Sequence, residues 1–167
     1  MNVDDGYGRS KAVAFSADDR ILATGGGTGV VRFWDAATGA ADGGASGHAV
    51  TANACWIESL EFSPDGRTLL TSGCDGSARL YDASSRQEIG SPLQGPGNES
   101  NSAVFSPDGR RILVAYRGGL GFVWNVTLGA WREHACTVAG RNLTRAEWER
   151  YLPERPYELV CASLPET

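Results

Sequence analysis

The sequence predicts an all-β chain built from three four-stranded antiparallel units in tandem, followed by a short C-terminal helix. A hexapeptide recurs as Phe15-Ser16-Ala17-Asp18-Asp19-Arg20, Phe62-Ser63-Pro64-Asp65-Gly66-Arg67 and Phe105-Ser106-Pro107-Asp108-Gly109-Arg110. Nineteen residues after each of these phenylalanines stands an aromatic paired with Asp or Asn: Trp34-Asp35, Tyr81-Asp82 and Trp124-Asn125. Glycine, at 22 of 167 residues, is well above the usual share of about 7%, which favours frequent turns. A constant offset within a variable outer period marks rigid units joined by loops of unequal length.

The elements follow in order. In the first unit, over about residues 11–47, Gly25-Gly26-Gly27-Thr28-Gly29 reads as a hairpin turn between two strands. In the second, about 56–95, Ile57 to Phe62 is a mixed apolar run, Pro64-Asp65-Gly66 a turn and Thr68 to Ser72 a β-prone run. Gly73-Cys74-Asp75-Gly76 then interrupts the pattern, and Ala78-Arg79-Leu80-Tyr81 alternates before Ala83-Ser84-Ser85. Gln87 to Leu93 is expected as an outer strand, where Pro92 is tolerated because an edge strand can spare a backbone donor. The third unit, about 101–139, repeats the motif and is expected to have the same four strands. Four antiparallel strands per unit make one propeller blade, so residues 1–140 are expected to form a partial β-propeller.

The hexapeptide, the small-residue turn and the aromatic–Asp pair together resemble the WD-repeat β-propeller family. The resemblance implies a buried tetrad of a Gly-His histidine, a second-strand Ser or Thr, a turn Asp and a third-strand Trp, which the second blade offers as His48, Ser72, Asp75 and Tyr81. The first blade has Gly25 and Thr28 at the Ser and Asp positions and the third has Ala115 and Gly118, so both depart from the pattern. A mid-sheet tryptophan buries its ring only if its indole N–H finds an acceptor, which is the physical reason for such a tetrad. Phe15, Trp34, Phe62, Phe105 and Trp124 are the expected blade-core aromatics.

Residues 141–167 form a separate tail. Thr144 and Glu147 have capping-box spacing, Leu143 and Trp148 the spacing of a hydrophobic staple, and Pro153 stops the helix after about two turns. Trp148, Tyr151 and Leu152 make one apolar stripe, and so short a helix needs a surface to dock on. The tail resembles the C-terminal end of actinobacterial multidomain WD-repeat proteins, whose relatives carry a signalling ATPase or kinase-like region ahead of the propeller. Cys55, Cys74, Cys136 and Cys161 match neither a zinc spacing nor a disulfide-dense framework, so reduced thiols are expected. Cys136 and Cys161 flank the helix at a spacing open to a disulfide or a shared metal.

Fifteen basic against 20 acidic residues give a net charge of −5 with no basic run, which disfavours a phosphate-neutralising surface for nucleic acid or anionic membrane. The chain has neither a membrane-length apolar stretch nor a leader pattern, and a cytoplasmic location is expected. The glycine-rich turn lacks G-K-[ST], no G-x-S-x-G occurs, and the acidic pairs read as solvated charge, so no catalytic residue, cofactor or metal is expected. Asn98, Asn125 and Asn142 match the glycan acceptor pattern by chance. The expected function is a non-catalytic scaffold for a protein or peptide partner, with Arg86, Arg117 and Trp131 as candidate contacts. Three blades leave two apolar faces uncovered, and the expected remedies are a homodimer completing a six-bladed ring, another protein's blades, or a longer parent. The alternative is a regulatory sensor segment of a signalling ATPase or kinase system.

Overall fold

A computed structural model describes residues 10–42, 49–95, 99–162 and 164, which fall into two units, residues 1–124 and 125–167. In the first unit β1 (Ser10–Phe15), β2 (Ile21–Gly26), β3 (Val30–Asp35) and β4 (Ala49–Thr51) form one antiparallel sheet in sequence order. A second sheet comprises β5 (Ile57–Phe62), β6 (Thr68–Gly73), β7 (Ser77–Asp82) and β8 (Leu93–Gln94). The third has three strands among the described residues, β9 (Ser100–Phe105), β10 (Arg111–Tyr116) and β11 (Leu120–Asn125).

Each hexapeptide builds the same turn. Ser16, Ser63 and Ser106 hydroxyls donate to Asp18, Asp65 and Asp108 at 2.6, 2.6 and 2.5 Å, and accept the N–H of Ile21, Thr68 and Arg111. The next turn position needs positive φ, supplied by Gly66 (71°) and Gly109 (66°) and, in the first blade, by Asp19 (58°). At the far end of the third strand Asp35, Asp82 and Asn125 accept the backbone N–H and hydroxyl of Thr38, Ser84 and Thr127. The two sequence signals are thus the two turns that bound the strands.

The shared turns enforce a shared register. Phe15 faces Leu22, Phe62 faces Leu69 and Phe105 faces Ile112, and each first strand carries a register shift at the same place, near Ser10, Ile57 and Ser100. The blades stack face to face, the first on the second and the second on the third. Ala12, Ala23, Val31 and Phe33 of the first blade pack with Ile57, Leu60, Phe62, Leu69 and Tyr81 of the second in one buried cluster. The close approach rests on small residues: a Cβ on Gly25 would lie 3.0 Å from Ile57 side-chain carbons.

The expected fourth strand of the third blade is replaced by helix. Residues Leu128–Ala139 are α1, so the unit boundary falls after Trp124 and not near residue 140. Thr127, held by Asn125, accepts the Ala130 N–H as N-cap, and Gly140 at φ 66° closes the C-terminus through Cys136 O. A second helix, α2 (Arg145–Tyr151), starts with the expected capping box, in which Thr144 and Glu147 satisfy each other's backbone N–H groups.

The second unit is too small for a large apolar core and relies on specific ties. Trp148 is buried, its indole donating to Arg155 O at 2.8 Å and its ring meeting Tyr157 edge-on at 5.6 Å. Buried Asn142 donates to Cys161 O and Leu164 O and accepts the Cys161 N–H. Arg141 grips Glu147 through two 2.7 Å bonds. The expected apolar stripe is only partly used, because Tyr151 lies exposed. The cysteines are not free thiols: Cys55 pairs with Cys74 and Cys136 with Cys161, at Cα separations of 5.8 and 5.5 Å. Turn geometry brings Cys55 and Cys74 together, and the Asn142 clamp seats Cys161 for Cys136.

Candidate interaction surface and its polar anchor

The second blade holds a buried hydrogen-bond network between β4 and β7. Asn53 is its centre: its Nδ2 donates to Asp75 at 3.0 Å and Ser77 Oγ at 3.0 Å, while its Oδ1 accepts the Thr71 hydroxyl at 3.1 Å. Asp75 also accepts the N–H groups of Ala54 and Ser77 and the Ser77 hydroxyl. Burial pushes the Asp75 carboxyl up, but the bonds from Ala54, Ser77 and Asn53 outweigh it and hold the group below the usual carboxylate range. Gly73 and Gly29 make room, since a Cβ on either would collide with Asn53. Tyr81 donates to Ala52 O at 3.2 Å, and its hydroxyl is pushed up to about 12, first by burial and then by Glu88.

The expected tetrad is therefore corrected. Asp75 belongs to the network, and Tyr81 stands beside it on Ala52. Ser72 does not belong: it lies one residue past the inward position, on the other face of the sheet, where its hydroxyl pairs with Ser59 at 2.8 Å. Thr71 takes the place assigned to Ser72. His48 lies outside the described residues, and Asn53 makes the bonds expected of a histidine. In the first blade Thr24, at the position of Thr71, accepts the Trp34 indole N–H at 2.9 Å, so Gly25 was likewise one residue off. The third blade has buried Val114 at this position, which offers no acceptor to Trp124. A count from the hexapeptide phenylalanine would have found Thr24 and Thr71 at one offset.

Among the expected core aromatics, Phe62 and Trp34 are buried, whereas Phe105 and Trp124 are half-buried. Phe15 is not a core residue: it is 57% exposed, against 7% for Phe62 at the same register position. The opposite end shows the same contrast, for Val123 is 60% exposed where its first-blade counterpart Phe33 is 1% exposed. Val13 accompanies Phe15 on the first blade's outer face, and Val104 and Leu113 accompany Val123 on the third's.

Of the three candidate contacts, Arg86 is withdrawn. Its side chain is only 10% exposed, bridges to Asp42 at 3.0 Å, bonds Ala83 O and lies 3.9 Å over the Phe33 ring, clamping the first two blades together. Arg117 is 74% exposed and paired with Glu99 at 2.6 Å, which leaves its guanidinium on the surface. Trp131 sits half-buried on α1 in the second unit. An open groove of 610 Å³ runs along the turns of the first two blades, rimmed by Asp18, Asp65 and Asp82 beside Phe62. Each carboxylate is already engaged by its own turn: Asp82 is held down to about 2 by Ser84 and Ser85, and the other two lie below their usual range through Ser16 and Ser63.

Three sheets in one register, each bounded by the same pair of capped turns, define a chain of propeller blades. Residues 7–35 and 44–82 match the family described as WD domain, G-beta repeat, which makes the first two blades WD repeats. The third blade lies beyond the matched residues and shares their register. No curated protein matches the chain. WD repeats generally mediate protein–protein interaction and are typically non-catalytic scaffolds that bind proteins or peptides. Among the described residues, no helix is long and apolar enough to cross a membrane.

Proposed function

We propose that this chain is a non-catalytic protein–protein interaction scaffold, a partial propeller whose two outer blade faces take further blades from outside the described residues. The observation that carries this reading is the contrast between equivalent positions: Phe62 and Phe33 are buried by a neighbouring blade, whereas Phe15 and Val123 are exposed. Apolar side chains in such a register are placed for contact, and contiguous exposed apolar faces on repeat units serve association. The polar groups that invite a catalytic reading, Asp75, Ser72 and the turn aspartates, are engaged in backbone turns or inter-strand bonds.

Leu113→Lys tests the reading. Leu113 is 42% exposed, so the substitution is expected to change folding stability by no more than about 0.5 kcal/mol, as surface changes do, while abolishing association measured by size distribution. Destabilisation by about 2 kcal/mol or more, the cost typical of a core site, would show that the face is already covered within the chain. An esterase, peptidase and nucleotidase screen is expected to show no turnover, and reproducible turnover lost in Asp75→Ala would contradict the scaffold reading.

A further inference from the structure

We infer that the occupant of both outer faces is a second copy of this chain, the third-blade face of each copy seating on the first-blade face of the other to close a ring of six blades. The inference rests on the partial-propeller reading above. Its basis is that the two outer faces are the two halves of an interface the chain already makes twice.

The shared register fixes which positions meet. Toward the following blade, the first blade presents Ala12, Ala14, Ala23, Gly25, Val31 and Phe33, packed on Leu60, Phe62, Leu69 and Tyr81 of the second. The second blade repeats this toward the third, with Ser59 and Ser72 where the first has Ala12 and Gly25. At the end of the series the third blade presents Ser102, Val104, Leu113, Ala115, Gly121 and Val123 at those same six positions. At the start, Val13, Phe15, Leu22 and Trp34 occupy the positions of Leu60, Phe62, Leu69 and Tyr81.

The chemistry of the ends matches as well as the register. Both internal interfaces set small residues, Ala12 with Gly25 and Ser59 with Ser72, at the close-approach positions. The third-blade end keeps that rule with Ser102 and Ala115. Ser59 accepts the backbone N–H of Ala103 in the following blade at 2.9 Å. Ser102 is a serine at the position of Ser59, and the equivalent N–H is that of Val13 in the second copy. A contact between two different patches gives a closed ring only when the rotation closes, and propellers close with about 4 to 8 blades. Two arcs of three blades give six, whereas three arcs exceed the range.

The test uses the full chain with Val13→Glu and Val123→Arg, substitutions at exposed positions that leave the fold intact by circular dichroism. Light scattering is expected to give the wild type a mass near twice 17.7 kDa, and each variant alone the monomer mass. Mixing the two variants in equal amounts is expected to restore the dimer, since one interface is then unaltered and the other pairs opposite charges, and native mass spectrometry should find one chain of each kind. A wild-type dimer indifferent to both substitutions would overturn the inference. So would a wild-type monomer, in which case an apolar dye separates the two readings. Dye binding reduced by Val123→Arg means open faces that take a different partner, so the partial-propeller reading survives, whereas no dye binding means that reading fails too.

Discussion

Asn53 shows how much one side chain settles here. It joins buried Thr71 and Ser77 to half-buried Asp75, so Asn53→Ala leaves the Thr71 hydroxyl without its partner away from water and removes one of the donors that hold Asp75. The expected cost is about 2 to 4 kcal/mol, read from urea denaturation, against less than about 1 kcal/mol for Ser72→Ala. Equal losses would return Ser72 to the network. Acid dependence belongs to the same scale. Asp18, Asp65, Asp75, Asp108, Asp82 and Glu147 all titrate below their ordinary values when folded, the last two at about 2. Groups whose folded values are depressed contribute stability above their unfolded values, near 4, and lose it as pH falls through the folded ones. Melting temperature should therefore hold down to about pH 5 and fall between about 4 and 2, and Asp82→Asn should shallow that fall. The polar anchor was half legible in the sequence. Asp75 and the aromatic were visible in the repeat, but Thr71 and Ser72 are adjacent hydroxyl residues on opposite faces, separated by the strand register and, across the repeat, by the hydroxyl that Thr24 shares with Thr71 and that Gly25 lacks.

At the scale of the element, the turns and strands were legible because their determinants are local: a serine, an aspartate and a residue tolerating positive φ suffice to fold each hexapeptide. Asp19 is the one such position among the three hexapeptides without glycine. Asp19→Gly is expected to raise stability by up to about 1 kcal/mol, the cost of left-handed backbone for a non-glycine residue less glycine's extra unfolded entropy, which thermal denaturation would register. Helix α1 was not legible, because its twelve residues contain no buried side chain and so leave no apolar period to read. Its tie to the rest of the second unit is Cys136–Cys161, which spans 25 residues. Cys136→Ser is expected to cost that unit about 3 kcal/mol by freeing the unfolded chain, measured as loss of helix protection from hydrogen exchange. Thiol titration of the unreduced protein should find both cysteine pairs closed, and two or more free thiols would restore the expectation drawn from spacing alone.

On the scale of the whole molecule, burial is a property of neighbours and not of motifs. Phe15 and Phe62 head the same hexapeptide, yet one faces outward and the other is sealed by the first blade. No reading of either hexapeptide in isolation distinguishes them, which is why Phe15 was expected in the core. Stacked repeats draw their stability from neighbour interfaces, so in the monomeric Val123→Arg variant the second blade, with a blade on each side, should exchange its β6 amides most slowly. The first and third blades gain protection only when their outer faces are covered. Whether the outer faces are covered is decided by what the intact chain does in dilute solution. Absolute mass by light scattering over about a tenfold dilution measures it. A value near twice 17.7 kDa that persists on dilution is the predicted result, and a stable monomer whose outer-blade amides are as protected as those of β6 would contradict it.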